Sequence, residues 1–106
     1  MRLGEAAARD ADFLAAAAAA EWDHLAATGE GVTFPRTGFV ALHPAMQVRL
    51  LQLASAALGA EAPSARQLLA ALDGLTKRRS QTSLAGAVTV TVSPTEICVE
   101  KDMGRP

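Results

Sequence analysis

The sequence predicts an α+β fold, with three helices, one of them long and N-terminal, packed with a small antiparallel sheet that ends in a C-terminal β-hairpin. Three observations carry that reading. The opening stretch from Arg2 to about Thr28 contains no proline, has Gly4 as its one glycine before the end, and is dominated by alanine. Two further apolar stretches begin at strong helix-start signals, Pro44 and Ser64. After Gly86 the hydrophobic period shortens from that of a helix to that of a strand. With 106 residues, 50% of them hydrophobic, the chain holds enough apolar material for one ordinary core, so one domain covering residues 1–106 is expected.

Alanine is the best helix former, and the first helix is amphipathic when wound at 3.6 residues per turn. Leu3, Ala7, Leu14, Ala18 and Leu25 fall on one face, while Arg2, Glu5, Arg9, Asp12 and Asp23 gather opposite. A helix of this length spans about 40 Å and acts as the spine. Gly29 stands where a left-handed C-terminal cap belongs, with Gly31 close behind. Val32 to Arg36 reads as an extended connector or short strand, because Pro35 removes a ladder donor. Phe39-Val40-Ala41-Leu42, following Gly38, reads as a strand.

Pro44 opens the second helix at a position where a missing N–H costs nothing. Met46, Leu50, Leu53, Ala54, Ala57 and Leu58 supply its buried stripe, and Gly59 stops it. The third helix starts at Ser64, whose hydroxyl caps the first turn while Gln67 reaches back, just before Leu68, Leu69, Leu72 and Leu75. Gly74 weakens its last turn. Val88, Val90 and Val92 then alternate with Thr89 and Thr91 as a strand. Ser93-Pro94-Thr95 turns the chain, and Glu96 to Glu100 alternates again, with Ile97 and Val99 inward and Glu96 and Glu100 outward. A lone hairpin is barely stable in water, so it is expected to pair with the strand at Phe39 to Leu42.

Composition narrows the chemistry. The formal net charge is −1, so no global positive field draws the chain onto nucleic acid, and such binding requires a local basic cluster. A single cysteine, Cys98, forms no internal disulfide and fits a reducing, cytoplasmic setting. The alanine run from Ala15 to Ala20 is too short to span a bilayer, and the charged start is no export signal. The scattered glycines make no phosphate loop. His24, His43 and Cys98 lie too far apart in the chain to suggest a metal site, so no metal ligand and no catalytic residue is expected. His43 before Pro44 reads as a capping or packing residue, and Cys98 as a small apolar strand residue beside two glutamates rather than a nucleophile. Asp10 and Glu21 fall near the apolar face of the first helix and are expected to pair with Arg49 or Arg66.

One cluster has functional promise. Lys77, Arg78 and Arg79 are followed by Ser80, Gln81, Thr82 and Ser83, a run of cations and polar donors suited to phosphates, to which Arg66 adds from one helix face away. The same cluster also reads as a solvated helix end whose cations meet the negative pole of the dipole.

The order of these features resembles a known family. Arg2-Leu3 and Arg9-Asp10-Ala11-Asp12-Phe13-Leu14 resemble the helix that follows the catalytic domain in tRNA(Ile)-lysidine synthetases. His43-Pro44-Ala45-Met46 with Arg49-Leu50-Leu51 looks like that family's next helix. Arg78-Arg79-Ser80-Gln81-Thr82-Ser83-Leu84-Ala85-Gly86 is similar to its basic, hydroxyl-rich lead into a leucine-glycine-glycine strand, with Ala85 replacing the first glycine.

Such enzymes are ligases that use ATP to adenylylate C2 of the wobble cytidine in an isoleucine tRNA anticodon, after which lysine attacks to form lysidine. The family's serine- and glycine-rich ATP loop has no counterpart in these 106 residues. The resemblance therefore implies a non-catalytic accessory domain that holds tRNA, with Lys77, Arg78, Arg79 and Arg66 as candidate contacts. It implies no cofactor for this chain, with ATP belonging to a catalytic domain upstream, and a cytoplasmic setting. The alternative is a protein-interaction or structural module whose alanine-rich helix docks on a catalytic domain or on a second copy, as a homodimer.

Overall fold

A computed structural model describes residues 3–101, with side chains from Phe13 onward. The α+β class holds, with α1 (Leu3–Leu25), β1 (Ala27–Thr28), β2 (Val32–Pro35), α2 (Arg36–Val40), α3 (Pro44–Ala57), α4 (Ala65–Gly74), β3 (Ser80–Leu84), β4 (Val88–Val92) and β5 (Glu96–Lys101). The five strands form one antiparallel sheet in the order β1-β2-β5-β4-β3. The helices lie against a single face: α4 on β3, α2 on β2 and β5, α3 on β5, and α1 outermost on α3.

Register sorts the side chains between the two faces, because successive strand residues point opposite ways. Val90 pairs with Val99, which pairs with Val32, and Val92 pairs with Ile97, which pairs with Phe34. These rows are buried and meet Phe39, Leu50, Leu51, Ala54, Leu68, Ala71 and Leu84 to form the core. The alternating row of Gln81, Thr91, Cys98 and Thr33 lies on the uncovered face. Glu96 and Glu100 are exposed, as the alternation of the last strand requires.

Several expectations are corrected. The first helix stops at Leu25, and Ala27–Thr28 pairs with Thr33 and Val32 in a small hairpin, so Gly29 is a turn residue rather than a left-handed cap. Phe39 to Leu42 is not a strand: four apolar residues in a row have no period of their own, and tertiary packing selects a helical one. Phe39 is buried and Leu42 half-buried, while Val40 and Ala41 face outward, a spacing of three. The partner of the terminal hairpin is therefore β2, the segment read as a connector or short strand. The sheet also has an unexpected strand, β3, in the hydroxyl-rich segment.

The start signals behaved as local chemistry dictates. His43 accepts the N–H of Ala45 through Nδ1 at 3.1 Å, and Pro44 follows as the first helical residue. Ser64 Oγ accepts the N–H of Gln67 at 3.2 Å, and the Gln67 side chain accepts the N–H of Ser64 at 2.9 Å, a complete capping box. Gly59 ends α3 at φ +71°. Within the stripes, Leu50, Ala54 and Leu68 are buried, but Leu53, Ala57 and Leu69 are exposed. On α1, Ala18 is buried, Leu14 and Leu25 are half-buried and Asp23 is exposed. The proposed faces of Leu3, Ala7, Arg2, Glu5, Arg9 and Asp12 lie outside the described side chains.

The β3–β4 turn holds Gly86 and Ala87 in left-handed backbone, at φ +76° and +61°. An alanine there is strained by roughly 1 kcal/mol relative to glycine. Ala87→Gly is expected to raise the unfolding free energy by up to about 1 kcal/mol, less the entropy glycine adds to the unfolded chain. Urea denaturation with an unchanged slope and a higher midpoint is the measurement.

Candidate functional site

The basic cluster sits in the turn that carries the chain from the end of α4 into β3. Its position is set by close packing at Gly74, which is buried against β3. A Cβ on Gly74 would lie 2.5 Å from Ser80 Oγ, and that hydroxyl donates to the Gly74 carbonyl at 3.1 Å. Helix and edge strand are thus joined at the point where the turn leaves one and enters the other.

The turn itself is organised by Arg36, a residue the sequence reading passed over. Its guanidinium donates through Nη2 to the carbonyls of Leu75 at 3.0 Å and Lys77 at 2.7 Å. Through Nη1 it donates to the carbonyls of Arg78 at 2.9 Å and Ser93 at 3.0 Å. The Arg36 N–H donates to the Thr95 carbonyl at 3.0 Å, which anchors the start of α2 to the β4–β5 turn. That second turn is closed by Ser93 Oγ, which accepts the N–H of Glu96 at 3.1 Å. A planar, permanently charged fork with five donors can serve several carbonyls at once, and lysine cannot.

Lys77, Arg78 and Arg79 are all exposed. Lys77 lies 3.8 Å from Asp73, an exposed pair of little energetic weight, and it is the one ion pair among the described residues. Arg78 and Arg79 therefore project from the turn without an ion-pair partner among the described residues. Arg66 is exposed in the first turn of α4, at the opposite end of that helix, about 12 Å along its axis from Gly74. The structure does not bring it into the turn.

The remaining candidates are structural. Glu21 makes no ion pair with Arg49 or Arg66 among the described residues, because α1 leaves it half-exposed, where water stabilises a carboxylate; Asp10 lies outside the described side chains. Cys98 donates to Glu100 Oε1 at 2.9 Å, and burial, followed by the Glu100 hydrogen bond, pushes its thiol up to about 11. It stays protonated at neutral pH, unlike an activated nucleophile. Among the described residues no three His, Cys, Asp or Glu side chains gather as a metal site requires. No described helix is long and apolar enough to cross a membrane.

Residues 34–90 match the family described as the TilS substrate binding domain. The chain belongs to that family. The matched span, more than half of the chain, runs from β2 into β4 and contains Arg36, all of α2, α3, α4 and β3, and the basic turn. A TilS substrate-binding domain is an accessory domain of a tRNA-modification enzyme, so the membership agrees with the family resemblance read from the residues. A comparison with characterised proteins finds no match.

Proposed function

We propose that this domain holds tRNA as the accessory substrate-binding domain of a tRNA(Ile)-lysidine synthetase, and that Lys77, Arg78 and Arg79 touch the RNA backbone. The observation that supports this most is the turn at residues 75–79. Three exposed cations project from a backbone held by three hydrogen bonds from Arg36, inside the span that matches the family. Ordered backbone lowers the entropic cost of fixing those side chains on a ligand. Phosphate contacts position a nucleic acid without reading its bases, so this surface serves grip and register.

In this reading ATP, adenylylation of the wobble cytidine and attack by lysine belong to a separate catalytic domain, and the setting is cytoplasmic. Arg66, at the far end of α4, makes a separate contact. A net charge of −1 leaves binding to the local cluster, which makes it weak and salt-dependent.

A second reading is favoured by the apolar surface between α1 and α3. Ala19, Trp22, Leu53, Ala56 and Ala57, with Asp23 as the one charged member, line a groove of about 410 Å³, and Phe13 is 72% exposed further along α1. In that reading the chain is a docking module for a catalytic domain or a second copy.

Equilibrium binding of an isoleucine tRNA transcript at several salt concentrations separates the two. The native chain is expected to bind weakly, with an affinity that falls as salt rises. Lys77→Ala, Arg78→Ala and Arg79→Ala together are expected to flatten the slope of log K against log salt by about 2 to 3, at 0.7 to 0.9 per phosphate contact. Equal binding by native and triple variant, or none by either, favours the docking module.

A further inference from the structure

We propose that the main-chain N–H groups of Arg78 and Arg79 form a seat for one phosphate group of the RNA, and that Arg36 is the residue that positions it. The inference rests on the tRNA reading above and supplies the atoms that make the contact.

The argument starts from peptide geometry. Arg36 takes the carbonyls of Lys77 and Arg78 at 2.7 and 2.9 Å. Neither peptide unit is cis, so in each the N–H points to the side opposite the carbonyl. The N–H groups on those units are the ones of Arg78 and Arg79, and they face away from the guanidinium. Neither donates to a protein acceptor among the described residues. The turn's earlier amides are already committed, Thr76 to Asp73 and Lys77 to Gly74, at 3.2 and 3.1 Å. Two successive free donors therefore face away from the guanidinium, in a turn whose Lys77, Arg78 and Arg79 are all exposed.

Successive backbone N–H groups in a turn make an anion-binding concavity, and an oxyanion held by them forms charge-assisted hydrogen bonds. The guanidinium strengthens them. By drawing on the carbonyl oxygen of each peptide, it polarises that same unit and makes its N–H a better donor. Arg36 is spent on carbonyls and does not touch the ligand, so its part is positioning. The three cations draw the RNA in, and the two amides fix where one phosphate stops.

The test is an amide-resolved NMR titration of the full chain with two probes, an RNA hairpin carrying the isoleucine anticodon and inorganic phosphate. Native protein is compared with Arg36→Gln and with the charge-neutral triple variant Lys77→Gln, Arg78→Gln, Arg79→Gln. With RNA, the amide protons of Arg78 and Arg79 in the native chain are expected to move downfield more than any others. The triple variant is expected to bind roughly tenfold or more weakly, yet to show the same two amides moving near saturation. Arg36→Gln keeps all three cations, and is expected to lose the two amide shifts and bind roughly fivefold more weakly. Trp22 emission reports whether it is folded; if it is not, the native titration alone decides.

RNA binding by the native chain without movement of the two amides overturns the seat and leaves the tRNA reading standing. Native-like amide shifts in folded Arg36→Gln overturn the positioning role. A response to inorganic phosphate with none to RNA makes this a free-phosphate site and overturns the RNA assignment. No response of the native chain to either probe removes the tRNA reading, and the seat with it.

Discussion

Arg36→Ala is expected to lower the unfolding free energy by about 2–3 kcal/mol and the melting temperature by on the order of 10 °C. The substitution leaves four carbonyls, of Leu75, Lys77, Arg78 and Ser93, without their shared donor. Hydrogen bonds to a charged group contribute about 1.5–3 kcal/mol each when buried. The Lys77 and Arg78 carbonyls are exposed and turn to water at little cost, so the loss comes mainly from those of Leu75 and Ser93. Arg36→Lys keeps the charge but offers one compact donor group, and is expected to recover less than half of the loss. Urea denaturation followed by emission of the single tryptophan, Trp22, measures both variants. A change below about 0.5 kcal/mol for Arg36→Ala would mean that water serves the turn as well as the guanidinium does.

Phe34→Ala is expected to destabilise the fold by about 3–5 kcal/mol, the largest effect of any single change considered. The ring is fully buried on β2, meeting Trp22 of α1 edge-on at 5.8 Å between centroids and Phe39 of α2 at 5.0 Å. Its strand neighbour is Ile97. Truncation thus opens a cavity where two helices and the centre of the sheet meet, and leucines elsewhere in the core cannot fill it without moving backbone. A domain of this size has about 5–15 kcal/mol of stability in all, so the variant is expected to be partly unfolded at 37 °C. Phe34→Leu keeps most of the apolar volume and is expected to lose about 1–1.5 kcal/mol. Chemical denaturation and the red shift of Trp22 emission both read the difference.

Elements whose signals are local were legible in the sequence. The capping box at Ser64 and the start at Pro44 need only residues within one turn of each other. The alternation of Val88, Val90 and Val92 needs only one strand. What failed depended on contacts between distant segments. β3 hides because two of its three inward positions, Ser80 and Thr82, are polar residues admitted where the end of α4 closes on them, and Leu84 alone makes no hydrophobic period. The α2 helix hides because Phe39 is drawn under Phe34 in a segment too short to have a period.

The site divides in the same way. Lys77, Arg78 and Arg79 announce themselves as adjacent like charges. Arg36 gives no such signal, since its partners are main-chain carbonyls, which every residue has, and a cation in the first turn of a helix opposes the dipole. Only the folded chain shows that the α2 start lies beside the end of α4. Arg66, by contrast, was placed near the cluster on helix phase alone, which ignores position along the axis.

The order of the sheet has a consequence for how the chain matures during synthesis. β5, the last described strand, lies between β2 and β4, so β2 gains its main partner only when nearly all of the described sequence has been made. Until then β2 has only the two-residue ladder with β1, which reaches Val32 but not Phe34, and α1 has no Phe34 ring in place against which to seat Trp22. The β3–β4 hairpin, built from neighbours in sequence, can close early. A ribosome-bound chain stopped before Glu96 would therefore display α1 and β2 as sticky, protease-sensitive segments, and release of β5 would act as the clasp that shuts the whole domain.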